Sequence, residues 1–158
     1  MLRDPSLIPL SHQHQHALAL CVRLDRALQA GAVDLTAWQP EVHQLYANEV
    51  RFHFAAEEKV LFSAARRFPE HAALVEQLSG EHERLREHFV HAEQGTMDRG
   101  ELERFVELLS GHIRKEERQL FEDLQKRMLP EELKTLGEEL ARALEDAVQV
   151  CRREPGPH

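Results

Sequence analysis

The sequence predicts an all-α protein: an up-down-up-down four-helix bundle with an additional C-terminal helix. Three observations carry that prediction. Of 158 residues, 42% are apolar and 30% charged, with only 7 glycines and 7 prolines. This mixture, rich in Leu, Glu, Ala and Arg, consists of good helix formers. Glycine and proline fall between long uninterrupted segments. Within each segment apolar residues recur at three- and four-residue spacing, and no alternating strand pattern competes.

The elements follow in order. A first helix runs from Ser6 or Ser11 to Ala30 and stops at Gly31, with Leu10, Ala17, Leu18, Cys21 and Leu28 along one stripe. A loop containing Asp34 and Pro40 leads to a second helix ending near Arg67, ahead of Pro69. The third covers Glu70 to Glu93, with Leu74, Leu78, Leu85 and Phe89 as its stripe, and gives way to the turn GTMDRG. The fourth spans Glu101 to Arg127, before Pro130, with Phe105, Leu108, Leu109 and Leu120 aligned. A fifth, Glu131 to Val150, carries Leu133, Leu136, Leu140, Leu144 and Ala147, a stripe that suits a cap on the bundle or a homodimer contact. Residues 1–150 are thus expected as one domain, with the bundle at about 6–127, the extra helix at about 131–150 and a flexible tail at 151–158.

Charge and composition exclude several classes. A formal net charge of −8 argues against nucleic acid as a partner, because phosphate contact needs a basic face. No apolar run is long enough to span a membrane, and the N-terminus lacks the basic-then-apolar layout of a secretory leader. Two cysteines far apart in sequence make no disulfide scaffold, so a cytoplasmic location is expected. The unusual count is 11 histidines.

Those histidines fall into a pattern. The second helix contains HFAAEEKVLF, His53 to Phe62, and the fourth contains HIRKEERQLF, His112 to Phe121. Each offers a histidine and a glutamate at i and i+4, which a helix places on one face about 6 Å apart. A single such pair reads most simply as an ion pair on a solvated face. Two matched copies, both in line with apolar stripes, point instead to His53, Glu57, His112 and Glu116 facing the core. A buried carboxylate there needs a partner or a metal. Imidazole and carboxylate together suit iron, manganese or zinc. Glu58 and Glu117, about 100° further round, would orient ligands or face solvent.

On the third helix His82 falls on the inward line of Leu78, Leu85 and Phe89, while His88 and His91 fall off it. Taken alone, that position suits a hydrogen-bonded core histidine before a ligand. On the first helix the stretch LSHQHQHALALC holds three histidines. His14 shares the face of Leu10, Ala17, Leu18 and Cys21, whereas the pincer-like pair His12 and His16 lies on the opposite, solvated side.

These motifs, from about Leu10 to Phe121, resemble the hemerythrin family, specifically the bacterial hemerythrin-like HHE cation-binding domains. The resemblance implies a four-helix bundle holding two non-haem irons bridged by two carboxylates, with zinc or manganese as possible substitutes. Its ligands would be His14, His53, Glu57, His82, His112 and Glu116. The chain departs from the oxygen-carrying members at one place: the residue four after His82 is Arg86, which cannot ligate a metal. A carrier also has Asp five residues after its histidine, where Glu116 comes four after His112. Four histidines and two glutamates look more like the members linked to iron sensing and to diatomic or peroxide chemistry. With two histidines per iron and shared bridges, the resemblance implies an open position on each metal. Arg86 is expected at the rim of that opening, attracting anions, and Tyr46 and Glu49 either approach it or serve as packing and surface residues.

The reading that follows is a di-iron protein that binds or senses O2, NO, peroxide or iron status. An enzyme using the same cluster, a peroxidase or a nitric-oxide-handling repair factor, is the alternative. A ferritin-like protein would carry Glu-x-x-His instead of His-x-x-x-Glu. A metal-free helical interaction domain is the remaining possibility, and no segment identifies a protein effector.

Overall fold

The computed structural model describes residues 1–153, with side chains to residue 149. Among them the only regular structure is helical, in five long rods. Helix α1 is Ile8–Gln29; Pro9 sits in its first turn, where a missing N–H costs nothing, and Gly31 at φ 84° ends it. Helix α2 is continuous from 35 to 65 and is built as Leu35–Leu45, a π-helical turn Tyr46–Val50, Arg51–Ala56, a second π turn Glu57–Leu61, and Phe62–Ala65. The Asp34 side chain caps it by accepting from the Ala37 amide. Helix α2 therefore starts before Pro40, which the sequence placed in a loop. Pro40 and Thr36, whose carbonyl loses its partner, are both exposed, so water can serve the freed group.

A 3-10 turn at Pro69–His71 opens helix α3, Ala72–Gln94, which ends on Gly95 in the left-handed region. The Thr96 amide returns to the His91 carbonyl there, satisfying one of the helix's last carbonyls. Helix α4 is Arg99–Lys115, a π turn Glu116–Phe121, and Glu122–Arg127, capped by Asp98 on the Glu101 amide at 2.7 Å. Helix α5, Pro130–Arg153, extends beyond the expected Val150. The first three residues of the expected tail continue this helix, and the rest lie outside the described residues.

Helix α1 packs against α2 and α4, and α3 packs against α2 and α4, which is the closed up-down-up-down ring. Helix α5 lies along α2 from Arg51 to Leu61. Its stripe is used within the chain: Leu133, Leu136, Leu140 and Ala143 are buried against Leu7, Leu61, Phe62 and Leu124. The N-terminal segment follows the same end of the bundle, and Leu7 is wholly buried.

The interior is stratified. One apolar cluster holds Ala17, Phe54, Leu85, Phe89, Phe105 and Leu109; another holds Leu10, Leu61, Phe62, Leu78, Leu120 and Phe121. Each fully buried Leu or Phe contributes about 1.5–3 kcal/mol relative to exposure. Between the clusters, at the same level on every bundle helix, lie His14, His53, Glu57, His82, His112 and Glu116, all buried. A polar layer so placed forgoes apolar burial and carries a desolvation cost, so its partners are the central question.

Candidate metal centre

Four helices bring the six residues together as two interlocked groups: His14, His53, Glu57 and Glu116, and His82, His112, Glu57 and Glu116. In the first, the Nε2 atoms of His14 and His53 are 3.0 Å apart; in the second, those of His82 and His112 are 3.1 Å apart. Both carboxylates span the groups. Glu57 turns Oε1 to His53 (2.6 Å) and His14 (3.6 Å), and Oε2 to His82 (3.2 Å). Glu116 turns Oε2 to His14 (3.0 Å), and Oε1 to His112 (3.1 Å) and His82 (3.9 Å).

Local backbone geometry delivers those carboxylates. A π turn starts at Glu57 and another at Glu116, the glutamates of the two matched motifs. In the first, the Phe62 amide reaches back five residues to the Glu57 carbonyl. The wider turn re-aims the residues that follow, and such turns recur at functional sites. Sequence periodicity does not reveal it, since the flanking turns remain α-helical.

Three of the four histidines are hydrogen-bonded from behind and the fourth has a carboxylate nearby, in each case from the neighbouring helix. Gln13 of α1 accepts from His53 Nδ1 of α2 at 2.7 Å. Glu58 of α2 lies 3.7 Å from His82 Nδ1 of α3. Glu81 of α3 accepts from His112 Nδ1 of α4 at 3.0 Å, and Glu117 of α4 accepts from His14 Nδ1 of α1 at 2.7 Å. The supports run once around the bundle in a single sense. Three of them are carboxylates, and each is held by a cation: Glu58 by Arg86 at 2.5 Å, Glu117 by Arg3 at 2.5 Å, and Glu81 by Lys115. Phe54 stacks on His82 and Phe121 on His14, and the guanidiniums of Arg86 and Arg3 sit over those same two rings.

These contacts decide what the Nε2 atoms offer. An Nδ1 that donates its proton leaves Nε2 with a lone pair, and three of the four histidines are so arranged. Lone pairs facing one another at about 3 Å repel unless a cation or a proton lies between them. The four carboxylate oxygens of Glu57 and Glu116 are likewise buried with no aligned hydrogen-bond donor. Leaving buried carboxylates uncompensated costs about several kcal/mol each. The donor set and the orphaned oxygens therefore fit a bound metal cation.

The titration behaviour reports the same demand for positive charge. Burial alone would lower the His14 pKa, but the carboxylates of Glu116, Glu117 and Glu57 raise it well above its ordinary value. His112 is raised against burial to about 9 by Glu116 and Glu81, and His82 is raised by Glu57 and Glu58. Burial pushes Glu57 up, yet His53, His14 and His82 hold it well below the carboxylate range. Glu81, against burial, is held at about 2 by His112 and Lys115. A proton and a metal ion compete for the same Nε2 lone pairs, so metal binding at these histidines would release protons.

Of the remaining candidates, Glu49 lines a small cavity beside His14, His53 and His112, and the others fall elsewhere. His12 and His16 are exposed, and His16 pairs with Glu49 at 2.9 Å. Tyr46 stacks on Phe89 and accepts a hydrogen bond from Arg86. Arg86, expected at the rim as an anion trap, is instead committed to Glu58, because a guanidinium beside a half-buried carboxylate pairs with it. His88 and His91 meet Glu101 at the far end of α3. Gln13, Glu81, Lys115 and Arg3 were not singled out from the sequence. The adjacency of Gln13 to His14 and of Glu81 to His82 is no signal, since Gln13 serves His53 and Glu81 serves His112.

A helical bundle whose core layer consists of four imidazoles and two shared carboxylates defines a histidine–carboxylate metal-binding protein. Residues 9–124 match the family model described as Hemerythrin HHE cation binding domain. The chain belongs to the hemerythrin family, as its motifs implied. No curated protein and no solved structure matches it. No helix among the described residues is long and apolar enough to cross a membrane.

Proposed function

We propose that this chain holds two iron ions, one at His14 and His53 and one at His82 and His112, sharing Glu57 and Glu116, and that it binds or senses a small ligand such as O2, NO or peroxide. The observation that carries this reading is the carboxylate geometry: each glutamate presents one oxygen to each histidine pair. A site for one ion would need no such division.

Iron bound there would supply redox-active chemistry with room for an exogenous ligand. The chain's own residues set the conditions for it. Gln13, Glu81 and Glu117 fix the tautomer of three histidines so that Nε2 points inward. Beside His14, His53 and His112 a cavity of about 10 Å³ is lined mostly by Ala17, Val50, Phe54, Leu109 and Ile113, with Gln13 and Glu49 at its polar edge. That is space for one water-sized molecule, and its apolar walls favour a diatomic or peroxide over a larger polar substrate. Zinc or manganese would satisfy the same donors, since nitrogen–oxygen sites select poorly by affinity alone.

The test is anaerobic reconstitution with ferrous iron followed by elemental analysis and an optical titration with nitric oxide or azide. Two irons per chain and a saturable spectral change are expected. One iron or none refutes the two-ion reading, and an unchanged spectrum refutes ligand binding. Sustained consumption of hydrogen peroxide by the loaded protein would favour the enzymatic alternative.

A further inference from the structure

We propose that His88, His91 and Glu101 form a second, solvent-accessible site for a single divalent transition-metal ion of the zinc, copper or nickel type. His88 and His91 stand three residues apart on the last turns of α3, so one helix face presents both rings. Glu101 lies in the first turn of α4, fixed because its own amide donates to the Asp98 cap. The connection through Gly95 to Asp98 is short and tied down at both ends, by the Thr96 amide on His91 and by the Asp98 cap.

The three side chains converge on one point. His88 Nδ1 is 3.1 Å from Glu101 Oε1, and His91 Nδ1 contacts the same oxygen. All three ligand atoms lie within 4.8 Å of one another. Around a tetrahedral zinc with bonds of about 2.0–2.2 Å, ligand atoms sit about 3.3–3.5 Å apart. The existing spacing needs only small side-chain adjustments to admit an ion. Two imidazoles and one carboxylate favour zinc, copper or nickel over magnesium or calcium, which take oxygen-rich shells. His91 is 44% exposed, which gives an ion a route in and leaves the fourth position to water, whereas His88 and Glu101 are mostly covered.

This site is separate from the core layer. His88 is six residues beyond His82, about 9 Å along the helix axis, and Phe89 and Phe105 lie in the apolar cluster on that side. An ion there would clamp the end of α3 to the start of α4, the helix that carries His112, Lys115 and Glu116. Two histidines left off the core-facing line thereby acquire a role that does not depend on what the core holds.

The experiment uses the full chain after anaerobic iron loading. Wild type, His91→Ala and Glu101→Gln are dialysed against zinc in the micromolar range, and zinc and iron are counted in the same samples. Wild type should retain one more zinc per chain than either variant, with iron content equal in all three. Removing one of three ligands should weaken zinc by more than about tenfold. Zinc should raise the melting temperature of wild type and not that of the variants. Equal zinc in wild type and both variants, or none in any, overturns the proposal. His91 is half-exposed, so its replacement leaves the core intact, and far-UV circular dichroism checks this.

Discussion

Gly137→Ala on α5 is expected to destabilise the protein, against the usual direction for a helical glycine. In an open helix position the change gains about 0.5–1 kcal/mol, because alanine loses less backbone entropy. At Gly137 the new methyl would stand 2.7 Å from Ser6 Cβ and 2.9 Å from its Cα. Carbon atoms rest about 3.5–4.0 Å apart, so the overlap is close to 1 Å and part of it is against backbone. Ser6 cannot simply withdraw: its amide donates to Asp4, the Asp4 amide donates to Gln125, and Leu7 is fully buried. Overpacking of this kind costs about 1–3 kcal/mol. The net loss should be about 1–2 kcal/mol, a fall in melting temperature of about 2–8 °C for a domain of this size. Urea denaturation of metal-free protein measures it. Gly80→Ala and Gly111→Ala serve as controls, because a methyl at either meets nothing within 4 Å, and both should stabilise. A Gly137→Ala variant as stable as those controls would refute the packing of α5 on the N-terminal segment. If the segment shifts instead, Arg3 leaves Glu117 and iron retention falls with stability.

His14→Ala should lose iron, whereas the double change His12→Ala with His16→Ala should keep the wild-type iron content by elemental analysis, since only His14 points inward. Glu117→Ala and Gln13→Ala should each weaken metal binding by about 10- to 100-fold in chelator competition, the usual effect of removing a hydrogen-bond partner behind a ligand. Arg86→Ala should lower metal affinity through Glu58 while leaving azide affinity unchanged in an optical titration; a large loss of azide binding would restore the guanidinium to the rim. Stripping the metal should lower the melting temperature, because an ion that binds only the folded chain stabilises it by mass action, about 2.7 kcal/mol at a concentration 100 times Kd.

The helices were legible because burial leaves a periodic trace: Leu78, His82, Leu85 and Phe89 lie on one line whatever surrounds them. His53 and Glu57 were legible for the same reason, reinforced by a second copy at His112 and Glu116. Pro40 misled because proline marks a boundary only when no cap precedes it, and Asp34 had already started the helix. The π turns at Glu57 and Glu116 leave no compositional mark, since one extra residue in a turn changes hydrogen bonding and not residue type. Gln13 and Glu81 act on histidines of the next helix, so their role depends on which helices are neighbours, knowledge that only the folded chain supplies. The pairing of Arg86 was hidden likewise, because Glu58 reaches it across a helix interface.

The ring of supports around the core layer bears on how ions leave. The α1–α2 hairpin contains Gln13 with His53, and the α3–α4 hairpin contains Glu81 with His112, but the Glu58–His82 and Glu117–His14 contacts cross between hairpins. Parting the hairpins breaks both crossing supports at once. It also pulls Glu57 from His82 and Glu116 from His14. With two ions held as proposed, neither would be shed while its neighbour stayed fully coordinated. Release would then be a single collective event at the rate of hairpin separation, so the bundle's opening motion, not the strength of any one bond to metal, would set the lifetime of the loaded state.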